Sequence, residues 1–322
     1  MDGLGRTRRR FLGTLAAGAA LHRAPFAQAV EALADARGVG GGAAKAVTAS
    51  SGGSAIPAAR GWLAGHFVMD NWFYKSVMKP SEQAALTKRL GYTGMTCSLG
   101  NQWEQFPDLV RELDRQQLAL VGINTGLFIH GEPPPKRLEK LIELLKGRPT
   151  YLMLQLRSKQ DSRGSKSGDG RAIELLKQFC DLCARHEIAG VALYPYFGNW
   201  LETVSHGVRL CKAVDRPNLS TMFNQYHWMR TERRLGLDAT LALALPHLRC
   251  VTVNGSDDKE PDVRPLGSGS YDTASILKQL AALKYEGEVG SFGHGVEGDI
   301  PGQLESSMNG WRKLRKQLGD AR

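Results

Sequence analysis

From residue 65 onward the chain carries short runs that are apolar at nearly every position, too short for helices and too continuous for strands with one wet face. They fall at residues 65–69, 94–97, 118–123, 151–156, 190–194, 219–223, 248–253 and 288–292. Parallel strands buried on both faces need this pattern. Between the runs the apolar period lengthens to that of a helix, at 81–90, 103–116, 135–146, 171–186, 204–214, 237–245 and 271–284, and a last helical pattern at 303–318 closes the chain. The runs recur at intervals of roughly 30 residues, the length of one βα unit. Eight such units in succession predict an α/β fold, the (β/α)8 TIM barrel.

The connections support that topology. Helix-to-strand links are short, as at Asp215-Arg216-Pro217, whereas the strand-to-helix links 157–170, 225–236 and 255–270 are long and polar. Long loops confined to one end of a barrel mark its catalytic face. Read at the strand ends, that face offers Asp70, Asn124, Gln155, Tyr194 and Tyr196, then Asn224, Tyr226, His227 and Trp228, then Asn254 and Asp257, and finally Ser291, His294 and Glu297. Amides, hydroxyls and aromatic faces outnumber charges, as suits a pocket that stacks against a sugar and bonds its hydroxyls.

Ahead of the barrel the pattern stops. Residues 38–54 are almost all Gly, Ala, Ser, Val and Thr, with too little bulky apolar surface to offset the entropy of ordering. Residues 30–62 are therefore read as a flexible linker and 63–320 as the folded domain. Residues 1–29 carry Thr7-Arg8-Arg9-Arg10-Phe11-Leu12, a short apolar segment and Ala27-Gln28-Ala29, the pattern of a twin-arginine signal peptide with a cleavage site. The expectation is export by the Tat route to the periplasm or beyond, with no membrane contact past the translocon.

That leader also changes the charge reading. It holds five arginines against Asp2, so a net +4 of the chain's formal +10 leaves with it. The remainder suits an anionic substrate or plain solubility, and no basic stripe with interleaved aromatics argues for nucleic acid. The basic loop around Arg157, Lys159, Arg163, Lys166 and Arg171 reads as a solvated segment or an anion clamp. Cys180 and Cys183 share a helix face, and all five cysteines lie on apolar patterns and read as core thiols.

Residues 191–196 (VALYPY), 221–228 (TMFNQYHW), 251–256 (VTVNGS), 266–272 (LGSGSYD) and 290–295 (GSFGHG) resemble the xylose isomerase-like TIM-barrel superfamily, the sugar phosphate isomerase/epimerase group. The resemblance covers about residues 65–318 and looks closest to exported bacterial members. It implies proton transfer next to a carbonyl, with a divalent ion (Mn²⁺, Mg²⁺ or Zn²⁺) held by a Glu after the fifth strand, an Asp-x-x-His after the sixth, a His or Asp around the seventh and a Glu after the eighth. Here Tyr194, Asn224 with His227, Thr252 and Asn254, and Ser291 stand at those places. Only His227 remains as a strong ligand, and Glu297 or the Asp257-Asp258 pair would have to complete a site. No cofactor is therefore assigned. His227 and His294 are the expected acid/base groups, with Tyr194 or Glu297 as partner. The expected ligand is a small carbohydrate or sugar acid. Three readings stay open: a sugar isomerase or epimerase, a sugar-binding barrel without the metal, and a β-eliminase of keto sugars.

Overall fold

The computed structural model describes residues 65–74, 76–99, 104–130, 136–296 and 298–319. The expected signal segment and linker, and Glu297, lie outside the described residues. Eight parallel strands close into a barrel in sequence order: β1 (Phe67–Val68), β2 (Gly94–Ser98), β3 (Ala119–Phe128), β4 (Tyr151–Arg157), β5 (Gly190–Leu193), β6 (Leu219–Asn224), β7 (Leu248–Val253) and β8 (Glu288–Ser291), with β8 paired to β1. Helices α1 (Pro80–Leu90), α2 (Phe106–Arg115), α3 (Lys136–Leu144), α4 (Asp169–Arg185), α5 (Val204–Val214), α6 (Gln225–Thr231), α7 (Leu237–Ala244), α8 (Thr273–Ala282) and α9 (Ile300–Gly319) accompany them. The (β/α)8 expectation holds. None of the helices among the described residues is long and apolar enough to cross a membrane.

Local chemistry sets many of the boundaries. Pro80 opens α1 where its missing N–H costs nothing, Glu82 reaches back to the Lys79 N–H at 2.7 Å, and Gly91 ends the helix with φ at 90°. Thr203 caps α5, and the buried Glu232 carboxylate takes the free Val204 N–H at 2.8 Å.

The core has two compartments. Phe67, Met69, Val121, Met153, Ala192, Tyr194, Met222, Cys250 and Phe292 fill the barrel itself, while a larger shell packs between strands and helices. All five cysteines are buried and unpaired.

Two features depart from the expected layout. The polar stretch after β6 is no open loop: it begins with the two-turn helix α6. Strand β3 also runs on to Phe128, paired with β4 as far as Phe128 opposite Arg157, so Asn124 and Gln155 lie within strands rather than at their ends.

Candidate functional site

The geometry of the barrel mouth starts at the junction of β6 and α6. Asn224 ends the strand and caps the helix, its Oδ1 accepting the His227 N–H at 3.0 Å. The cap delivers the imidazole over the barrel axis. The Asn224 amide donates to Thr252 Oγ1 at 2.8 Å and to the Tyr194 hydroxyl at 3.2 Å, tying β5, β6 and β7 together across the mouth.

His227 is only 2% exposed. Rings surround it, with Tyr196 at 4.0 Å between centroids, Tyr226 at 5.3 Å, and Tyr194 and Phe292 each at 5.5 Å. Its Nδ1 accepts the Phe197 N–H at 3.4 Å, which leaves the proton on Nε2, a buried atom with no hydrogen-bond partner. Burial, helped by the nearby charge of His294, pulls its pKa down to about 3. A base so weak drives little proton abstraction near neutrality, so the structure argues against His227 as the general base expected from sequence.

Tyr194 is likewise an interior residue and not a rim residue. It is fully buried, and burial holds its phenol well above the usual range, so it stays protonated beneath the other rings. Tyr196 is half-buried and lies edge-on to it at 5.7 Å. Trp228, expected to bind substrate, points the other way: its Nε1–H donates to Thr240 Oγ1 at 3.1 Å in the shell between strands and helices. The next-door residues face opposite sides because α6 turns by about 100° per residue.

The remaining expected residues divide between the mouth and its supports. Asp70 sits buried after β1, accepting from Thr96 Oγ1 at 2.8 Å and from the backbone and hydroxyl of Ser98; burial raises its pKa. Gln155 donates to Asn124 Oδ1 at 2.9 Å, and its own Oε1 accepts from Asn199 and Arg157 at 3.4 Å each, an amide chain along one wall of the mouth. Asn254 spends its amide on the Gly255 and Asp262 carbonyls and keeps a buried, unpaired Oδ1. Asp257 is tied to Arg264 and Ser270, and Asp258 to Arg233, so both carboxylates pin the loop after β7 instead of reaching the axis. His294 is exposed, its ring 5.8 Å from Tyr74 and 6.4 Å from Phe292.

The strand-end reading missed two features, Phe292 and Arg230. The inward residue at the end of β8 is Phe292, because Ser291 turns outward to bond Ser307 of α9 at 2.7 Å. Arg230 lies over the Phe197 ring at 4.6 Å, while Tyr226, read at the end of β6, does join the aromatic cluster. The strict alternation of a strand could have flagged Phe292, since Gly290 faces Phe67 inside the barrel.

The divalent ion implied by the resemblance does not fit this donor set. The axis-facing groups Tyr194, Asn224, Thr252, Asn254 and Phe292 are neutral, and His227 is the one strong ligand among them. Mn²⁺ and Mg²⁺ favour anionic oxygens, and zinc wants three or four thiolate, imidazole or carboxylate ligands. Among the described residues, no group of three or more His, Cys, Asp and Glu is placed to hold an ion.

Solved structures with this architecture include the 3-keto-D-glucoside 4-epimerase YcjR from E. coli, at 17% identity and TM-score 0.60, covering 78% of this chain and 98% of that one. The D-allulose 3-epimerase from Methylomonas sp. gives 15% identity and TM-score 0.63 over 79% and 98% of the two chains. The IolI protein, solved with a zinc atom, gives 12% and 0.60 over 80% and 97%. These likenesses establish the fold alone. No curated protein matches the sequence significantly. The family comparison reaches further, matching residues 84–314, most of the barrel, and on that match the chain belongs to the xylose isomerase-like TIM barrel family.

Proposed function

We propose that this protein binds a carbohydrate at the C-terminal mouth of its barrel by stacking and hydrogen bonding, without a resident divalent ion. The observation that carries the reading is the plugged axis: Tyr194, His227 and Phe292 fill the space beneath the mouth, and the axis-facing groups are neutral. Above that plug lie half-buried Tyr196 and Tyr226, with the amides of Gln155 and Asn199 beside them. An aromatic face covers the apolar side of a pyranose, and amides take its hydroxyls. The family's sugar epimerases give the ligand class its context. The twin-arginine pattern supports a place of action outside the cytoplasm.

A second reading has one observation in its favour. Asp70 is a buried carboxyl at the mouth whose pKa is raised by burial, the shift that suits a general acid or base near neutrality. It supports proton transfer next to the carbonyl of a keto sugar, as isomerase, epimerase or β-eliminase, without the family metal.

One set of measurements separates these. The purified protein, treated with EDTA, is titrated with neutral monosaccharides and sugar acids by calorimetry, and each ligand is then followed by NMR in D₂O for loss of a carbon-bound proton. Binding without exchange is the expected result. Exchange that Asp70→Asn abolishes establishes the second reading, and binding or exchange that requires added Mn²⁺, Mg²⁺ or Zn²⁺ overturns the metal-free site.

A further inference from the structure

Two arginines stand at the rim of the mouth with no carboxylate partner among the described residues. Arg157 ends β4 and Arg230 lies in α6, so in the closed barrel they flank the loop after β5 that carries Tyr196. Both are exposed. Their heads are held by uncharged contacts. Arg157 lies across Gly126, where a Cβ would come within 2.9 Å of its guanidinium carbon, and it donates to Gln155 Oε1 at 3.4 Å. Arg230 stacks over Phe197 at 4.6 Å and reaches Tyr226 at 5.9 Å.

Five neighbouring acids are spent on other groups, and Glu202, in the loop after β5, accepts the Gly198 N–H at 3.4 Å. Asp161 bonds His130 and Ser167, Asp169 pairs with Arg209, Asp258 with Arg233, and Asp257 and Asp262 both pair with Arg264. Those five carboxylates thus have partners of their own, and Arg157 and Arg230 are left without an ion pair among the described residues. A guanidinium stacked on a ring keeps its N–H edge free for two parallel bonds to a carboxylate or phosphate.

We infer that the ligand of this mouth is an anionic monosaccharide, its ring on Tyr196 and Tyr226 and its carboxylate or phosphate held between Arg157 and Arg230. The inference rests on the carbohydrate reading above and narrows it. Fixed cations beside an aromatic platform favour one charged group on a stackable ring over a neutral sugar, and a bidentate site pre-positioned by stacking loses less entropy on binding.

The test is calorimetric titration of the EDTA-treated protein with D-glucuronate, D-glucose 6-phosphate and D-glucose, with acetate and inorganic phosphate as bare anions. The charged sugars are expected to bind at least about tenfold more tightly than glucose, and the difference to shrink as salt is raised. Whichever of the two binds tighter identifies the anion. Arg157→Gln and Arg230→Gln are each expected to remove most of that advantage while leaving the melting temperature and the weak glucose affinity unchanged. Glucose binding as tightly as glucuronate and glucose 6-phosphate, with the arginine variants indifferent, overturns the inference and leaves the carbohydrate reading standing. Acetate or phosphate matching the charged sugars reduces the arginines to a bare anion site and also overturns it. Absence of binding by every sugar overturns both.

Discussion

Tyr194 offers the sharpest test of the plugged mouth, because the rim position read from sequence and the interior position in the fold predict different energies. Its ring is fully buried against Met222, Cys250 and Phe292, and its hydroxyl accepts one hydrogen bond, from Asn224 at 3.2 Å. Truncation to alanine removes that ring from a close-packed interior and should cost about 3 to 5 kcal/mol, the usual range for losing a buried aromatic. Tyr194→Phe keeps the ring and removes only the acceptor. Asn224 still donates to Thr252 at 2.8 Å, so that variant should lose about 1 kcal/mol. Equilibrium urea unfolding followed by far-UV circular dichroism measures both. For a domain of this size the alanine variant should also melt roughly 10 °C lower, at about 2 to 4 °C per kcal/mol. Because the phenol lies beneath the platform, Tyr194→Phe should leave sugar affinity unchanged. An alanine variant that loses less than about 1 kcal/mol would place the ring at a solvated rim and refute the plugged axis, since a rim residue leaves little cavity. A phenylalanine variant as damaged as the alanine one would show that the Asn224 bond, not packing, holds the mouth.

Two further outcomes follow from the same physics. His66 is buried at the opposite end of the barrel, stacked on Trp311 at 4.1 Å, with its ring bonded to the Val289 carbonyl at 3.1 Å; burial chiefly, and Arg315 to a lesser degree, lower its pKa from 6.5 to about 3. Because the folded value lies below the unfolded one, its contribution is intact above pH 6.5 and is lost as the pH falls towards 3, at about 1.4 kcal/mol per pH unit. His66→Gln should flatten the pH dependence of urea-unfolding stability by that slope between about pH 4 and 6, and an unchanged slope would show the imidazole to be free to charge in the fold. Replacing Arg8 and Arg9 together by Lys should leave unprocessed precursor in the cytoplasm with the barrel folded, and mature protein appearing normally in the periplasm would defeat the export reading.

Much of the architecture was decided locally and was therefore readable along the chain. Apolar runs and helical periods express which faces must be buried, and helix ends such as Pro80 and Gly91 are set by the backbone chemistry of single residues. The helix read at 204–214 coincides with α5. Helix α6 escaped because seven residues show barely two turns of period, although Asn224 capping a stretch free of Gly and Pro was a usable signal.

The site was legible only as a set of neighbours. His227 and Asn224 are recognisable from sequence as candidates, yet nothing local says that Tyr194 and Phe292 close over the axis or that the imidazole is thereby held neutral. Whether Ser291 or Phe292 faces inward depends on the pairing of β8 with β1 and on Ser307 arriving from α9. Trp228 turns to Thr240 because α6 packs on the shell beneath α7, and Asp257 is unavailable because Arg264 folds back onto it. The sequence by itself determined the order of strands, helices and loops, since periodicity and capping act within a few residues. Only the tertiary structure decided which of the polar groups on those loops remain free, because a charge or hydrogen-bond donor is spent or left over according to partners that lie far away along the chain.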